Sequence, residues 1–163
     1  MPISECCTTN VITCGKDMPL PEVAALMRRH HVGDVVVVEG EGSGARPIGI
    51  ITDRDIVVET IALQLDVTVF TAGDMMSSPL VAVSETDGIL ESLRLMRAHN
   101  IRRLPVLAQS GGLYGIVSAD DVFSLLTMEL SLMTGVVVDQ QDAERRQRRG
   151  GFGPSGNAGA IQH

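Results

Sequence analysis

Two short stretches share one chemistry: GIITDRD at residues 49–55 and GIVSADD at residues 115–121. In each, an apolar run ends on a hydroxyl, Thr52 or Ser118, and a carboxylate follows three positions later, Asp55 or Asp121. Where a buried strand gives way to a helix, backbone N–H groups stand unpaired and the helix dipole favours negative charge. A carboxylate there can accept hydrogen bonds from two neighbouring sugar hydroxyls, and the Thr or Ser hydroxyl can bond a ribose or phosphate oxygen. The same spacing also makes a capping box that satisfies those N–H groups, worth about 1 kcal/mol. By spacing alone, capping is the favoured reading. Asp53, Arg54 and Asp120 belong to the same helix starts; Arg54 reads equally as a phosphate contact and as a solvated side chain.

The elements that must position these groups also come in two copies. A shift of 69 residues lays HHVGDVVVV, from His30, over HNIRRLPVL, from His99, and it also pairs Glu22 with Glu91, Met27 with Met96 and Arg28 with Arg97. The two GI(I/V)(T/S)xxD segments match at a shift of 66, from Gly49 to Gly115, so a three-residue length difference lies in the loops EGEGSGARP and AQSGG. Repeats of this kind specify architecture before any single motif does. Each copy reads as strand, helix, strand, strand, helix. VITC (11–14) is a short strand, and a helix over 20–31 starts at Pro19 and Pro21. Leu20, Ala24 and Met27 form its apolar face, as Ile89, Leu93 and Met96 do in the second copy. The continuous runs VVVV (35–38) and PIGII (47–51), with LPVL (104–107) and YGIV (114–117), read as buried strands joined by Gly-rich hairpin loops. The closing helices begin near Asp53 and Ala119.

These boundaries give repeat 1 at residues 1–66, a linker at 67–79, repeat 2 at 80–138 and a polar, Arg- then Gly-rich tail at 139–163 that is expected to be disordered. VTVF within the linker reads as an extended segment rather than a strand. Each half is too small to bury a core alone, so the two should pack together.

Composition excludes several functions. The net charge of -7 and an aromatic content limited to one Tyr and three Phe argue against nucleic-acid binding by a basic face or by stacking. The run Arg145, Arg146, Arg148, Arg149 is the local exception, and it reads as a solvated helix end. No signal sequence or run of about 18–20 apolar residues is evident, so a cytoplasmic location without a membrane is expected. Cys6, Cys7 and Cys14 form no CxxC pair, and neither a disulfide framework nor a zinc site is expected from them. Nucleophile elbow, Walker loop and HExxH motifs are missing, so an enzyme is not expected.

A helix ending in MRRHHVGDVVVV or MRAHNIRRLPVL, then a hairpin, then GIITDRD or GIVSADD, resembles a pair of CBS domains, the tandem arrangement also called a Bateman module. The resemblance covers roughly residues 3–134. It implies an α/β (α+β) fold of two pseudo-twofold-related repeats, each a small three-stranded sheet with two helices on one side. It also implies a regulatory module that binds AMP, ADP, ATP or S-adenosylmethionine between the repeats, needs no other cofactor, and shifts the conformation of a homodimer or of a separate protein partner. A structural dimerisation module without a ligand is the alternative. By the same resemblance, Thr52, Asp55, Ser118 and Asp121 would hold ribose or phosphate. Arg102 and Arg103 stand where family members place basic residues that reach phosphates, whereas the first repeat has Gly33 and Asp34 there. Adenine would lie against backbone and apolar walls at Val11, Ile12 and Thr13, at Val81, Ala82 and Val83, and at Val35, Leu104 and Pro105.

Overall fold

In a computed structural model, which describes residues 2–150, each repeat forms one three-stranded sheet. Repeat 1 runs β1 (Thr13–Gly15), α1 (Leu20–His30), β2 (Asp34–Glu39), β3 (Arg46–Thr52) and α2 (Asp53–Ile56), which continues as a wider helical turn over Val57–Ile61. A single 3-10 turn at Val67–Val69 and the short α3 (Ala72–Met75) lead into repeat 2. That repeat is β4 (Val83–Ser84), α4 (Ile89–His99), β5 (Arg103–Leu107), β6 (Leu113–Ser118) and α5 (Ala119–Gly150). In both sheets the first strand pairs parallel with the second, and the second pairs antiparallel with the third.

The valine run is a central strand because β-branched side chains suit a surface covered on both faces. Val35, Val36 and Val37 are fully buried, as are Leu104 and Val106 in β5. Leu20, Val23 and Met27 of α1 pack beneath the first sheet. Val23 therefore takes the inward position expected for Ala24, which is exposed. In α4 the equivalent buried set is Ile89, Ser92 and Met96, with Leu93 half-buried; Ser92 satisfies its hydroxyl by donating to the Gly88 carbonyl at 3.1 Å. Both helices stop in the same way, on a residue with left-handed backbone, His31 (φ 54°) and Asn100 (φ 53°). The αL cap turns the chain sharply into β2 or β5.

Ahead of each repeat lies a lead segment that packs on the other repeat. Residues 2–8 run along the second sheet: the Ile3 N–H donates to the Asp87 carbonyl at 2.8 Å, and Thr8 exchanges backbone hydrogen bonds with Ile116 at 2.8 and 2.9 Å. Residues 71–77 do the same on the first. The Ala72 N–H donates to the Met18 carbonyl at 2.8 Å and the Ser77 N–H to the Ile50 carbonyl at 3.0 Å. The residues between the two sheets are thus more than a spacer; part of that stretch is the lead segment of repeat 2. These crossings require glycine at the start of both GI motifs. A Cβ on Gly49 would lie 2.6 Å from the Met76 sulfur, and one on Gly115 would lie 2.8 Å from the Thr8 carbonyl oxygen.

The chain divides into two compact units, one ending at Phe123 and the other beginning at Ser124 within α5. The helix persists to Gly150, beyond the point where the polar tail was expected to lose order. Gln, Glu, Ala and Arg in QQDAERRQRR are good helix formers, so a segment too polar for a core still extends an existing helix. Expected disorder at 151–163 lies outside the described residues. Over Ala119–Arg146 the helix is long and apolar enough to cross a membrane by length and composition, a property that the interruptions at Glu129, Ser131 and Thr134 hide from a reading of continuous runs. Leu126, Leu130, Met133 and Val137 are exposed along it.

Candidate functional site

Register brings the chemistry together. Asp34, the first residue of β2, stands opposite Thr52, the last of β3; Arg103, the first of β5, stands opposite Ser118, the last of β6. Each strand-to-helix junction therefore has a charged residue from the neighbouring strand beside its hydroxyl. The two charged residues are equivalents under the 69-residue shift, and they meet each other. Arg103 Nε forms an ion pair with Asp34 Oδ1 at 3.0 Å, with the side chains 38% and 15% exposed. Burial raises the Asp34 carboxyl above its ordinary value; Arg103 lowers it, and the nearby carboxylates Asp53 and Asp121 raise it further.

Both capping boxes form. The Thr52 N–H donates to Asp55 Oδ2 at 2.8 Å and the Asp55 N–H donates to Thr52 Oγ1 at 3.2 Å. In repeat 2 the Ser118 N–H and hydroxyl donate to Asp121 Oδ2 at 2.8 and 2.6 Å, while the Asp121 N–H donates to Ser118 Oγ at 3.1 Å. Capping employs Oδ2 of each aspartate, and a carboxylate has about four acceptor positions, so Oδ1 can still receive donors from a ligand.

A cavity of about 200 Å³ opens beside the second junction, lined by Thr8, Asn10, Val11, Ile12, Val32, Asp34, Arg103, Ile116, Ser118 and Asp121. Its walls come from the lead segment, the start of β2, the start of β5, the end of β6 and the first turn of α5, so both repeats contribute. Of the expected ligand residues, Val11, Ile12, Arg103, Ser118 and Asp121 line it. Thr13, Val35, Leu104, Pro105, Arg102 and Asp120 do not, nor do Val81, Ala82 and Val83. Val35 and Leu104 are fully buried in the sheets instead. Thr52, Asp53, Arg54 and Asp55 form the junction of repeat 1, outside this cavity. Arg102 pairs with Asp120, its Nη2 donating to both carboxylate oxygens at 2.9 and 3.2 Å on an exposed surface.

Sequence reasoning missed Thr8, Asn10, Val32, Asp34 and Ile116. A signal existed for Asp34: opposite charges at positions related by the repeat, 34 and 103, can pair if both lie near the pseudo-twofold axis. Thr8 and Asn10 carried no such signal, because nothing local says that the lead segment crosses to the other sheet.

Cys6 and Cys7 sit on that lead segment, half-buried, and burial pushes both thiols up, with the Asp121 charge adding to it. Cys14 is buried in β1 and its thiol is pushed up to about 11 by burial. Thiols so shifted stay protonated at neutral pH. Among the described residues, no group of three or more His, Cys, Asp or Glu is arranged to hold a metal.

The family model described as "CBS domain" matches residues 3–60 and 72–127. Uncharacterized protein MK0525 of Methanopyrus kandleri is 35% identical over 123 residues, 76% of this chain and 61% of that protein, so the chain spans less than two thirds of that relative. Hypoxic response protein 1 of Mycobacterium tuberculosis is 35% identical over 112 residues, 68% of this chain and 76% of that one. Among solved structures, the CBS domain protein PAE2072 from Pyrobaculum aerophilum, complexed with AMP, aligns with a TM-score of 0.70 at 28% identity, covering 82% of this chain and 99% of that chain. With two sheets related by a repeat, two strand-to-helix junctions of one design and a family match over both, the chain belongs to the CBS-domain family as a tandem pair.

Proposed function

We propose that this chain is a regulatory module that binds an adenosine-containing ligand between its repeats, with Asp121 and Ser118 at the ribose. The observation that carries this reading is the cavity shared by both repeats, where the Ser118–Asp121 junction faces space rather than packed side chains. The AMP complex of PAE2072 supports it by kinship. Val11 and Ile12 offer the apolar wall an adenine ring needs, and backbone groups of the lead segment lie beside them. No reaction belongs to the proposal: the Ser118 hydroxyl is engaged by Asp121, and no histidine lines the cavity. Ligand binding would favour one relative setting of the repeats, which requires different affinity for the two settings.

The regulated contact in this proposal is a second copy of the chain. Leu126, Leu130, Met133 and Val137 follow the 3-4 spacing of a coiled-coil seam, and all are exposed on α5. Light scattering on the full chain should give twice the monomer mass, and Leu130→Glu with Met133→Glu should lower it. Association with lipid vesicles in place of self-association would replace this part of the reading.

Isothermal calorimetry on protein stripped of ligand tests the main claim. Heat should appear with at least one of adenosine, AMP, ADP, ATP and S-adenosylmethionine, and Asp121→Asn should weaken it at least tenfold. A structural module without a ligand is favoured by one observation, that both aspartates already complete capping boxes. Absence of heat with every compound would overturn the adenosine site and favour that second reading.

A further inference from the structure

The cleft contains a basic residue in the position suited to a phosphate, yet that residue already has a partner. Arg103 Nε is ion-paired with Asp34 across the two repeats, and both side chains line the cavity. Its Nη2 lies over Gly33 near a second carboxylate: the position a Cβ on Gly33 would occupy is 3.6 Å from Arg103 Nη2 and 3.2 Å from Asp53 Oδ2. Asp121 adds a third acid from the cavity wall. One guanidinium thus pairs with one carboxylate and has two more in its neighbourhood. The neighbouring Arg102 is held by Asp120 and does not line the cavity.

A phosphate entering this space would meet net negative charge. Asp34 faces only Nε, so the Nη groups could still reach a phosphate, but only beside the carboxylates of Asp34 and Asp121, whose charge opposes it.

We infer that the cleft selects adenosine derivatives whose 5′ substituent is neutral or cationic, such as a free hydroxyl, a thioether or a sulfonium, and discriminates against 5′-phosphates. The inference rests on the proposed adenosine site and names the ligand class that site accepts. Asp34 is then a specificity-determining residue: its charge offsets that of the arginine that would otherwise attract nucleotides.

Calorimetry with the intact chain tests this without any variant. Adenosine, 5′-methylthioadenosine and S-adenosylmethionine should each bind at least tenfold more tightly than AMP, ADP or ATP. Asp34→Asn, which removes the competing charge, should move the ratio of AMP to adenosine affinity at least tenfold toward AMP. Tighter binding of AMP or ATP than of adenosine by the unaltered chain overturns the inference and leaves the adenosine site standing. An unchanged ratio in a folded Asp34→Asn protein also overturns it. No binding of any compound overturns both together.

Discussion

The two repeats share their strand order and the left-handed stop of their first helix, and they differ in charge where they approach each other. Repeat 1 leaves its first helix through Gly33 and Asp34; repeat 2 leaves through Arg102 and Arg103. A pseudo-twofold axis brings equivalent positions face to face, so two aspartates or two arginines there would repel. Divergence into opposite charges turns that repulsion into the 3.0 Å Asp34–Arg103 pair. The lesson is that a charge at such a position cannot simply be duplicated. Opposite charges there make the two junctions unequal.

The lead segments give the largest expected effect. Ile3 is fully buried in repeat 2, and the equivalent residue in repeat 1 is the smaller Ala72, also fully buried. Ile3→Ala should destabilise the protein by about 2–5 kcal/mol, as other large-to-small core changes do. Hydrogen exchange should show the loss first at Thr8 and Ile116; equal loss across β2 and β3 would show that the repeats open as one body.

Next come the two arginines of repeat 2. Removing Arg103 strands a mostly buried Asp34, so Arg103→Ala should cost about 2–3 kcal/mol by denaturant unfolding, less than a fully buried pair because Arg103 is partly exposed. Arg102→Ala breaks a pair whose side chains are both 75% exposed, and it should cost no more than about 1 kcal/mol. Equal effects would show that the axis position has no special energetic status.

A pH series sharpens the same contrast. Because burial raises the Asp34 carboxyl above 3.8, the folded state holds this proton more firmly than the unfolded chain. Its contribution to stability is full below that pH and is lost as pH rises through the higher folded value. Asp34→Asn should flatten this decline. Asp74, exposed and lowered by its Thr71 hydrogen bonds, has the opposite sign: its contribution is present above 3.8 and is lost as pH falls below it.

The smallest effect compares the helix ends. His31 holds a left-handed backbone that asparagine, found at the equivalent Asn100, adopts more readily. His31→Asn should raise stability by a few tenths of a kcal/mol, seen as a small rise in melting temperature. No gain would mean that His31 makes contacts that compensate its backbone.

Element order, hairpins and both capping boxes were legible because each rests on local spacing that the chain states twice. The valine run and GIITDRD need no tertiary information to be placed. The crossing of residues 2–8 was hidden because their hydrogen bonds to Asp87 and Ile116 are more than a hundred residues away for the latter and leave no local pattern. Thr8 and Asn10 of the cavity wall were hidden with it. For α5, polarity after Val138 suggested disorder, whereas helix propensity and continuation of an existing helix decide the backbone there.

The exchanged arms make the N-terminal residues a clasp for the more distant domain. Cleaving the chain between the repeats would not liberate two independent pieces, since each would depart with the other's edge. A purification tag or fusion joined to Pro2 bears on a residue bridged to Gly88. Any bulk that pulls this arm away would loosen repeat 2 while repeat 1 keeps its own arm, so affinity handles are better placed at the opposite terminus.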